Sequence, residues 1–383
     1  VPVRRGCEVT GLAQDDTGVD VHLADGGTVR TAFLVGTDGG GSVVRRAAGI
    51  ELVGAEATRS HLIAEVEVTE DPPAGVRLDE VGIHAMSATQ DGTVGLVVTE
   101  RQLGPSREPA LDDVREALRA AYGTDFGAHA PRWVSRFTDA TRQATSYRRG
   151  RVLIAGDAAH THPPTGGQGV GLGVQDAVNL GWKLAQVVRG VSPDGLLGTY
   201  QAERHPATAR VLENVMVQAL LQRGDARTVA LRDTFSDLLG CDEPRTRLAG
   251  LLSGLDVRYD LGEGHPLLGR RMPDLDLTTS GGPRRVFELL RDARPVLLNL
   301  GEPGSIDITG WADRVRCTDA RHTGAWVLPV VGTVEGPEAV LVRPDGHVAW
   351  VGDRAGAGLT DALATWFGEP AAEAGSGLDR VRS

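Results

Sequence analysis

The sequence predicts an α/β protein of two or three domains, on three observations. Two continuously apolar segments, Phe33-Leu34-Val35-Gly36 and Val152-Leu153-Ile154-Ala155, each run into an acid and a glycine-rich loop. Strands buried on both faces of a parallel sheet read this way, and their loops open at the carboxyl edge where α/β sheets bind ligands. Between them, residues 61–100 carry partly alternating strands, which marks one core face and one face free to line a cavity. Beyond residue 274 a separate strand and helix pattern begins, and 383 residues exceed one ordinary core.

Taken in order, Cys7–Thr10, Val19–Leu23 and Thr28–Arg30 read as short strands separated by Asp15-Asp16-Thr17-Gly18 and Asp25-Gly26-Gly27 turns. Further strands are expected at His61–Val68, Val81–Met86 and Val94–Thr99. A helix is expected over 111–122, where Leu111, Val114, Leu118 and Ala121 share a face and Gly123 stops it. A long helix is expected over 170–189 and further helix over 196–240. Gly262–Pro273 reads as a linker. The last domain should hold a helix at Arg285–Arg291, strands at Pro295–Leu300, Ala339–Val342 and His347–Val351, a helix over 359–367, and a frayed tail over 371–383.

The net charge of −11 excludes a nucleic-acid binder, which needs a basic face to release counterions. Lys183 is the only lysine, so nearly every positive charge is arginine. Cys7, Cys241 and Cys317 form no CxxC pair and point to neither a disulfide framework nor zinc; a reducing cytoplasm fits them. No apolar run reaches the roughly 20 residues of a membrane span. His160 and His162 lack a third ligand nearby, so metal is not expected. Trp133 and Trp182 are expected in the core, and His22 and His265 on the surface or in loops.

The strongest chemical signal is Arg151-Val152-Leu153-Ile154-Ala155-Gly156-Asp157-Ala158-Ala159-His160, continuing to Gly166-Gly167-Gln168-Gly169. Asp157 can accept hydrogen bonds from ribose or ribityl hydroxyls. The glycines expose backbone N–H groups, leave room for a flat ring, and open into a helix from Val170 whose positive end stabilises an anion. On its own the string also fits a plain turn with Asp157 as a helix N-cap.

This string resembles the second FAD motif of the single-component flavoprotein aromatic hydroxylases. Gly36-Thr37-Asp38-Gly39-Gly40-Gly41-Ser42-Val43-Val44-Arg45 resembles the same family's DG motif, and Tyr200, Glu203, Arg204 and Pro206 match its signature after the long helix. Segments such as Thr124-Asp125-Phe126-Gly127, Pro131-Arg132-Trp133 and Arg343-Pro344-Asp345-Gly346-His347 are similar to the aromatic-polyketide hydroxylase and rifampicin monooxygenase branch. The resemblance implies a FAD-binding Rossmann-like domain (1–60 and 141–262), an inserted β-sheet substrate domain (61–140), and a C-terminal thioredoxin-like domain (274–370) without CxxC. No GxGxxG is present, so the first βαβ unit that would hold the ADP half of FAD is expected to be absent from this chain.

By the same resemblance, Asp38, Gly39, Arg45, Gly156 and Asp157 would bind FAD. Pro163 and Pro164 would frame the flavin ring together with the backbone of Gly166, Gly167, Gln168, Gly169 and Val170. NAD(P)H would reduce the flavin, and O2 would be transferred as OH from a C4a-hydroperoxide to an electron-rich aromatic substrate. No catalytic base is readable. Baeyer–Villiger oxygenation or a redox-neutral cyclisation on the same scaffold, or a non-catalytic relic lacking flavin, are the competing expectations. A homodimer is compatible with the sequence.

Overall fold

The computed structural model describes residues 2–89, 91–352 and 356–371, so the tail expected over 371–383 lies, past Ala371, outside the described residues. The chain forms two units. Val1–Val174 and Thr208–Arg245 make the first, Gln175–Ala207 and Thr246–Ser383 the second.

In the first unit the two apolar segments are neighbours. Leu34–Gly36 and Val152–Ile154 pair in parallel, Leu34 opposite Val152 and Gly36 opposite Ile154, with Arg148–Arg149 on the far side. Val152, Leu153 and Ile154 are fully buried, which is why both faces of that strand are apolar. The amino-terminal strands form an antiparallel meander, Val9–Gln14, Val19–Leu23 and Thr28–Thr31. Its first strand starts later than Cys7, because pairing through the Asp15–Gly18 turn sets the register.

A five-stranded antiparallel sheet follows, in the order His129–Thr138, Ser60–Glu67, Val94–Thr99, Ile83–Ala88, Gly75–Leu78. Side chains alternate between its faces. Leu62, Ala64, Val66, Met86, Leu96 and Val98 pack on Val114, Ala117 and Leu118 of the helix Leu111–Tyr122. The helix ends at Gly123, whose φ of +78° suits glycine. Leu118 is 1% exposed, so Leu118→Ala is expected to cost about 2–5 kcal/mol, read from the shift of the denaturant midpoint. Cross-strand neighbours Phe137, His61 and Thr99 share the other face with the row Ser135, Ile63, Val97, Ala85. Trp133 is not core as expected. It sits on the edge strand, 45% exposed, with Nε1–H donating to Glu65 at 3.4 Å.

The second unit is built on a six-stranded sheet, ordered Gly282–Arg285, Asp276–Thr279, Arg316–Arg321, Val296–Asn299, Ala339–Val342, Val348–Gly352. Its central strand is parallel to Arg316–Arg321 and antiparallel to Ala339–Val342. Alternate residues supply two cores. Leu297, Ala339 and Leu341 pack with Trp350, Leu363, Trp366 and Phe367, the last three from the helix Leu359–Phe367. Val296, Leu298, Val340 and Val342 pack with Leu267, Met272 and Val286. The expected linker 262–273 is therefore no free tether: it carries no helix, but Leu267 and Met272 are 0% and 1% exposed and anchor it. The helix expected at Arg285–Arg291 is a single turn, Val286–Leu289.

Buried charge joins distant parts of this unit. Arg343, fully buried, donates from Nη1 and Nη2 to the two carboxylate oxygens of Glu203 at 2.6 and 2.8 Å. Its Nε donates to Asp345 at 3.1 Å, and the guanidinium lies over the Trp366 ring at 4.5 Å. Lys183 Nζ donates to Glu203 and to Asn179 Oδ1, both at 2.8 Å. Burial pulls the Lys183 ammonium down to about 8 in spite of Glu203. Arg204 pairs with Asp176 at 2.8 Å, both fully buried. Glu203 of the post-helix signature and Arg343 and Asp345 of the Arg-Pro-Asp-Gly turn are thus parts of one ionic cluster, and Arg204 of the same signature forms a buried pair of its own with Asp176.

Candidate functional site

Because their strands are parallel and in register, the two acid–glycine loops open side by side, although Asp38 and Asp157 lie over a hundred residues apart. The turn after Gly36 is tight: a Cβ there would sit 2.7 Å from Val44 Cγ1. Asp38 organises its own loop. It accepts hydrogen bonds from Ser42 Oγ at 2.5 Å and from Val44 N–H at 3.1 Å, and Ser42 caps the helix Val43–Ala47. Burial works to raise the Asp38 carboxyl, and these donors outweigh it, so it stays below its ordinary value.

Arg45 is 6% exposed and makes no open anion site. Its Nη1 donates to Ala158 O at 3.0 Å and its Nη2 to Gly40 O at 2.9 Å, so it straps one loop to the other. Gly40 must be small, since a Cβ would meet Thr161 Cγ2 at 2.8 Å. Gly156 has φ of +61° and begins the turn Gly156–Ala158, on which Asp157 is exposed.

Downstream, Pro163 is buried and Pro164 exposed. Gly166 and Gly167 follow with φ of +77° and +66°, two consecutive left-handed residues that turn successive N–H groups the same way. Asn214 donates to Gln168 Oε1 at 3.4 Å, and Gly169 opens the helix Gly169–Val188 with Val170 82% exposed. A Cβ on Gly39, Gly41, Gly167 or Gly171 would meet nothing within 4 Å, so both loops face open space.

Beside Pro163 and Thr165 lies a cavity of about 180 Å³, also lined by Arg59, His61, Ile83, Asp139 and Arg223. A shallower apolar depression of about 510 Å³ crosses the same sheet and includes Ile63, Ala85, Val97 and Trp133. His61 is 8% exposed, stacks on Phe137 at 4.9 Å, and contacts Thr99 Oγ1 through Nδ1 at 3.0 Å. Burial pulls its pKa from 6.5 to about 4, with Asp139 and Glu100 opposing and Arg59 and His84 assisting.

This depression has a sign. The unfolded chain binds the His61 proton below about 6.5 while the native chain resists it until about 4, so the stability contribution is complete above 6.5 and lost as pH falls to 4. Denaturant midpoints at pH 7 and 4.5 should differ less in His61→Gln than in the unsubstituted protein. An equal difference in both would show that His61 is not the group responsible.

His61, Arg59 and Arg223 were not singled out in the sequence. The available signal was parity: His61 and Ile63 fall on the same face of a strand.

The parallel pair with acid–glycine loops, the helix that follows, and a sheet-walled cavity beside them define a flavoprotein oxygenase architecture. Residues 1–215 match the FAD binding domain family and residues 265–370 the aromatic-ring hydroxylase C-terminal family. A rifampicin monooxygenase from Streptomyces venezuelae is 43% identical over 374 residues, covering 96% of this chain and 75% of that protein. The 12-dehydrotetracycline 5-monooxygenase/anhydrotetracycline 6-monooxygenase of Streptomyces rimosus is 44% identical over 390 residues, covering 96% and 77%. The structure of the anhydrotetracycline hydroxylase OxyS from Streptomyces rimosus superposes with a TM-score of 0.87 at 43% identity, covering 96% of this chain and 76% of that one. The chain belongs to the FAD-dependent aromatic-ring hydroxylase family of monooxygenases, and so to the oxidoreductases. The glycine loops fit the flat group that this family binds, for they leave open space at Gly39, Gly41 and Gly167. No helix among the described residues is long and apolar enough to cross a membrane.

Proposed function

We propose that this protein is a FAD- and NAD(P)H-dependent monooxygenase that hydroxylates a polycyclic aromatic substrate of polyketide or ansamycin type. The observation that carries the reading is the convergence of the two acid–glycine loops at one sheet edge, next to the cavity at Pro163. Bound FAD would supply reduction by NAD(P)H and activation of O2 for transfer to the ring. The chain's own part is to bind, orient and exclude water.

Asp38 and Arg45 would shape the first loop around the flavin's ribityl and phosphate portion, with Gly39 giving close approach, and Gly156 and Asp157 would serve the same stretch from the second loop. Pro163 and Pro164, with the backbone of Gly166, Gly167, Gln168, Gly169 and Val170, would frame the ring. Residues 1–60 and 141–262 form the flavin part in this reading, 61–140 the substrate part, and 274–370 a thioredoxin-like domain. The parallel centre and antiparallel hairpin of the six-stranded sheet support the last of these.

The test is to add FAD to the purified chain, follow flavin fluorescence quenching, and then measure NADPH and NADH oxidation with O2 uptake against a panel of polycyclic phenols. Quenching with substrate-stimulated oxidation and a product heavier by one oxygen is expected. Product of unchanged mass, formed without nicotinamide consumption, would establish a redox-neutral reaction instead.

A further inference from the structure

The cavity at Pro163 has a polarity that the flavin loops do not explain. Thr99 Oγ1 lies 2.8 Å from Ile83 O, an approach that requires a hydrogen, and only the Thr99 hydroxyl has one to give. The same oxygen accepts from Ile83 N–H at 3.0 Å. Its contact with His61 Nδ1 at 3.0 Å must then run from Nδ1–H to Thr99, which fixes the imidazole tautomer. Nε2 is left with a bare lone pair. It has no hydrogen-bond partner among the described residues, and it is not among the polar atoms sealed from solvent, although His84 Nδ1 is.

The charged groups around the same cavity are unequally satisfied. Asp139 already accepts from Thr58 N–H, Thr58 Oγ1 and Arg59 N–H, and Glu56 is paired with Arg142. Among the described residues the Arg59 side chain hydrogen-bonds only the Val81 carbonyl, at 2.6 Å, with Asp139, Asp225 and Asp79 acting on its charge without a hydrogen bond, and the Arg223 side chain has no hydrogen bond or ion pair. The lining therefore offers one neutral acceptor and two available cations.

We propose that His61 is a substrate-orienting residue: its Nε2 accepts a hydrogen bond from an acidic phenol or enol hydroxyl, while Arg59 and Arg223 stabilise the partial negative charge that this sharing builds on that oxygen. The O–H bond stays with the substrate in the ground state and is shared with Nε2, so no oxidant or further reactant is needed. Sharing that hydrogen enriches the ring carbons ortho and para to the hydroxyl, the positions that an electrophilic oxygen attacks. A polycyclic phenol would seat its hydroxyl here and extend along the apolar row of Ile63, Val97 and Ala85. This assignment rests on the monooxygenase reading for its purpose but not for its measurement.

The probes are 1,8-dihydroxyanthraquinone and 1,8-dimethoxyanthraquinone, titrated by absorbance into the full chain with FAD added. The free phenol is expected to bind at least roughly tenfold more tightly than the ether, about what one hydrogen bond to a polar partner is worth. His61→Ala should bring the two dissociation constants together, and Arg223→Gln should weaken the phenol alone. Long-range ¹⁵N–¹H spectra of the imidazole should show the Nδ1–H form at neutral pH, with Nε2 shifting only when the phenol is added. Equal affinities in the unsubstituted protein, a ratio unaltered in His61→Ala, failure of both probes to bind, or an Nε2–H tautomer would each overturn the assignment. Phenol-selective binding that depends on His61 without any oxygenation would leave it standing and count against the monooxygenase reading alone.

Discussion

Replacing Glu203 by glutamine is expected to destabilise the second unit by about 3–5 kcal/mol, because it removes one partner from a buried ion cluster rather than the whole cluster. Glu203 receives both terminal nitrogens of Arg343, Nζ of Lys183 and Nδ2 of Asn179. With a neutral amide in its place, Arg343 and Lys183 face Asp345 alone, and the carboxamide cannot accept four donors. Chemical denaturation of the purified variant measures the loss.

Two controls separate charge from shape. Adding Lys183→Met to Glu203→Gln removes the uncompensated cation and should recover part of the stability. Raising pH should help the single variant as well. The Lys183 ammonium already sits at about 8 in the fold, against 10.5 when free, so the unfolded chain holds more protons in that window and stability rises with pH across it. A variant whose deficit is constant from pH 7 to 9 would show that the loss is one of packing.

The second large effect is expected at Arg45. Arg45→Ala deletes two charge-assisted hydrogen bonds and leaves the carbonyls of Ala158 and Gly40 without that donor. The combined cost is on the order of 3–5 kcal/mol, shared between overall stability and the order of the two loops. Weakened FAD binding, by about ten- to a hundredfold, is the expected readout if part of that cost falls on the flavin loops. Arg45→Lys keeps the charge but not the fork that reaches both carbonyls, and should be nearly as damaging. Native-like flavin affinity in both variants would relieve Arg45 of any positioning role.

Much of this architecture was legible because period and punctuation were strong. The strand Val94–Thr99 and the helices Leu111–Tyr122 and Leu359–Phe367 fall where alternation, 3.6-residue spacing and glycine stops place them. The strand His129–Thr138 escaped notice for a physical reason: as a sheet edge it is largely solvent-facing, so His-Ala-Pro-Arg-Trp carries no apolar alternation. Its exposure also explains the misplacing of Trp133.

The ionic cluster was illegible for the opposite reason. Lys, Arg, Glu and Asp are ordinarily at the surface, and the pairing of Glu203 with Arg343 spans 140 positions that no local pattern connects. At the site, the glycine loops were readable because left-handed turns demand glycine. The polar end of the cavity was not, since His61 gains its meaning from Thr99 on a neighbouring strand.

Lys183 carries the only side-chain primary amine in the chain, and it is fully buried. The folded surface thus presents guanidinium groups and no lysine amine to solvent. Acylating reagents such as succinimidyl esters should leave Lys183 of the native protein unmodified. Label at Lys183 would appear only as fast as the second unit opens, so its appearance by peptide mass spectrometry clocks that opening directly.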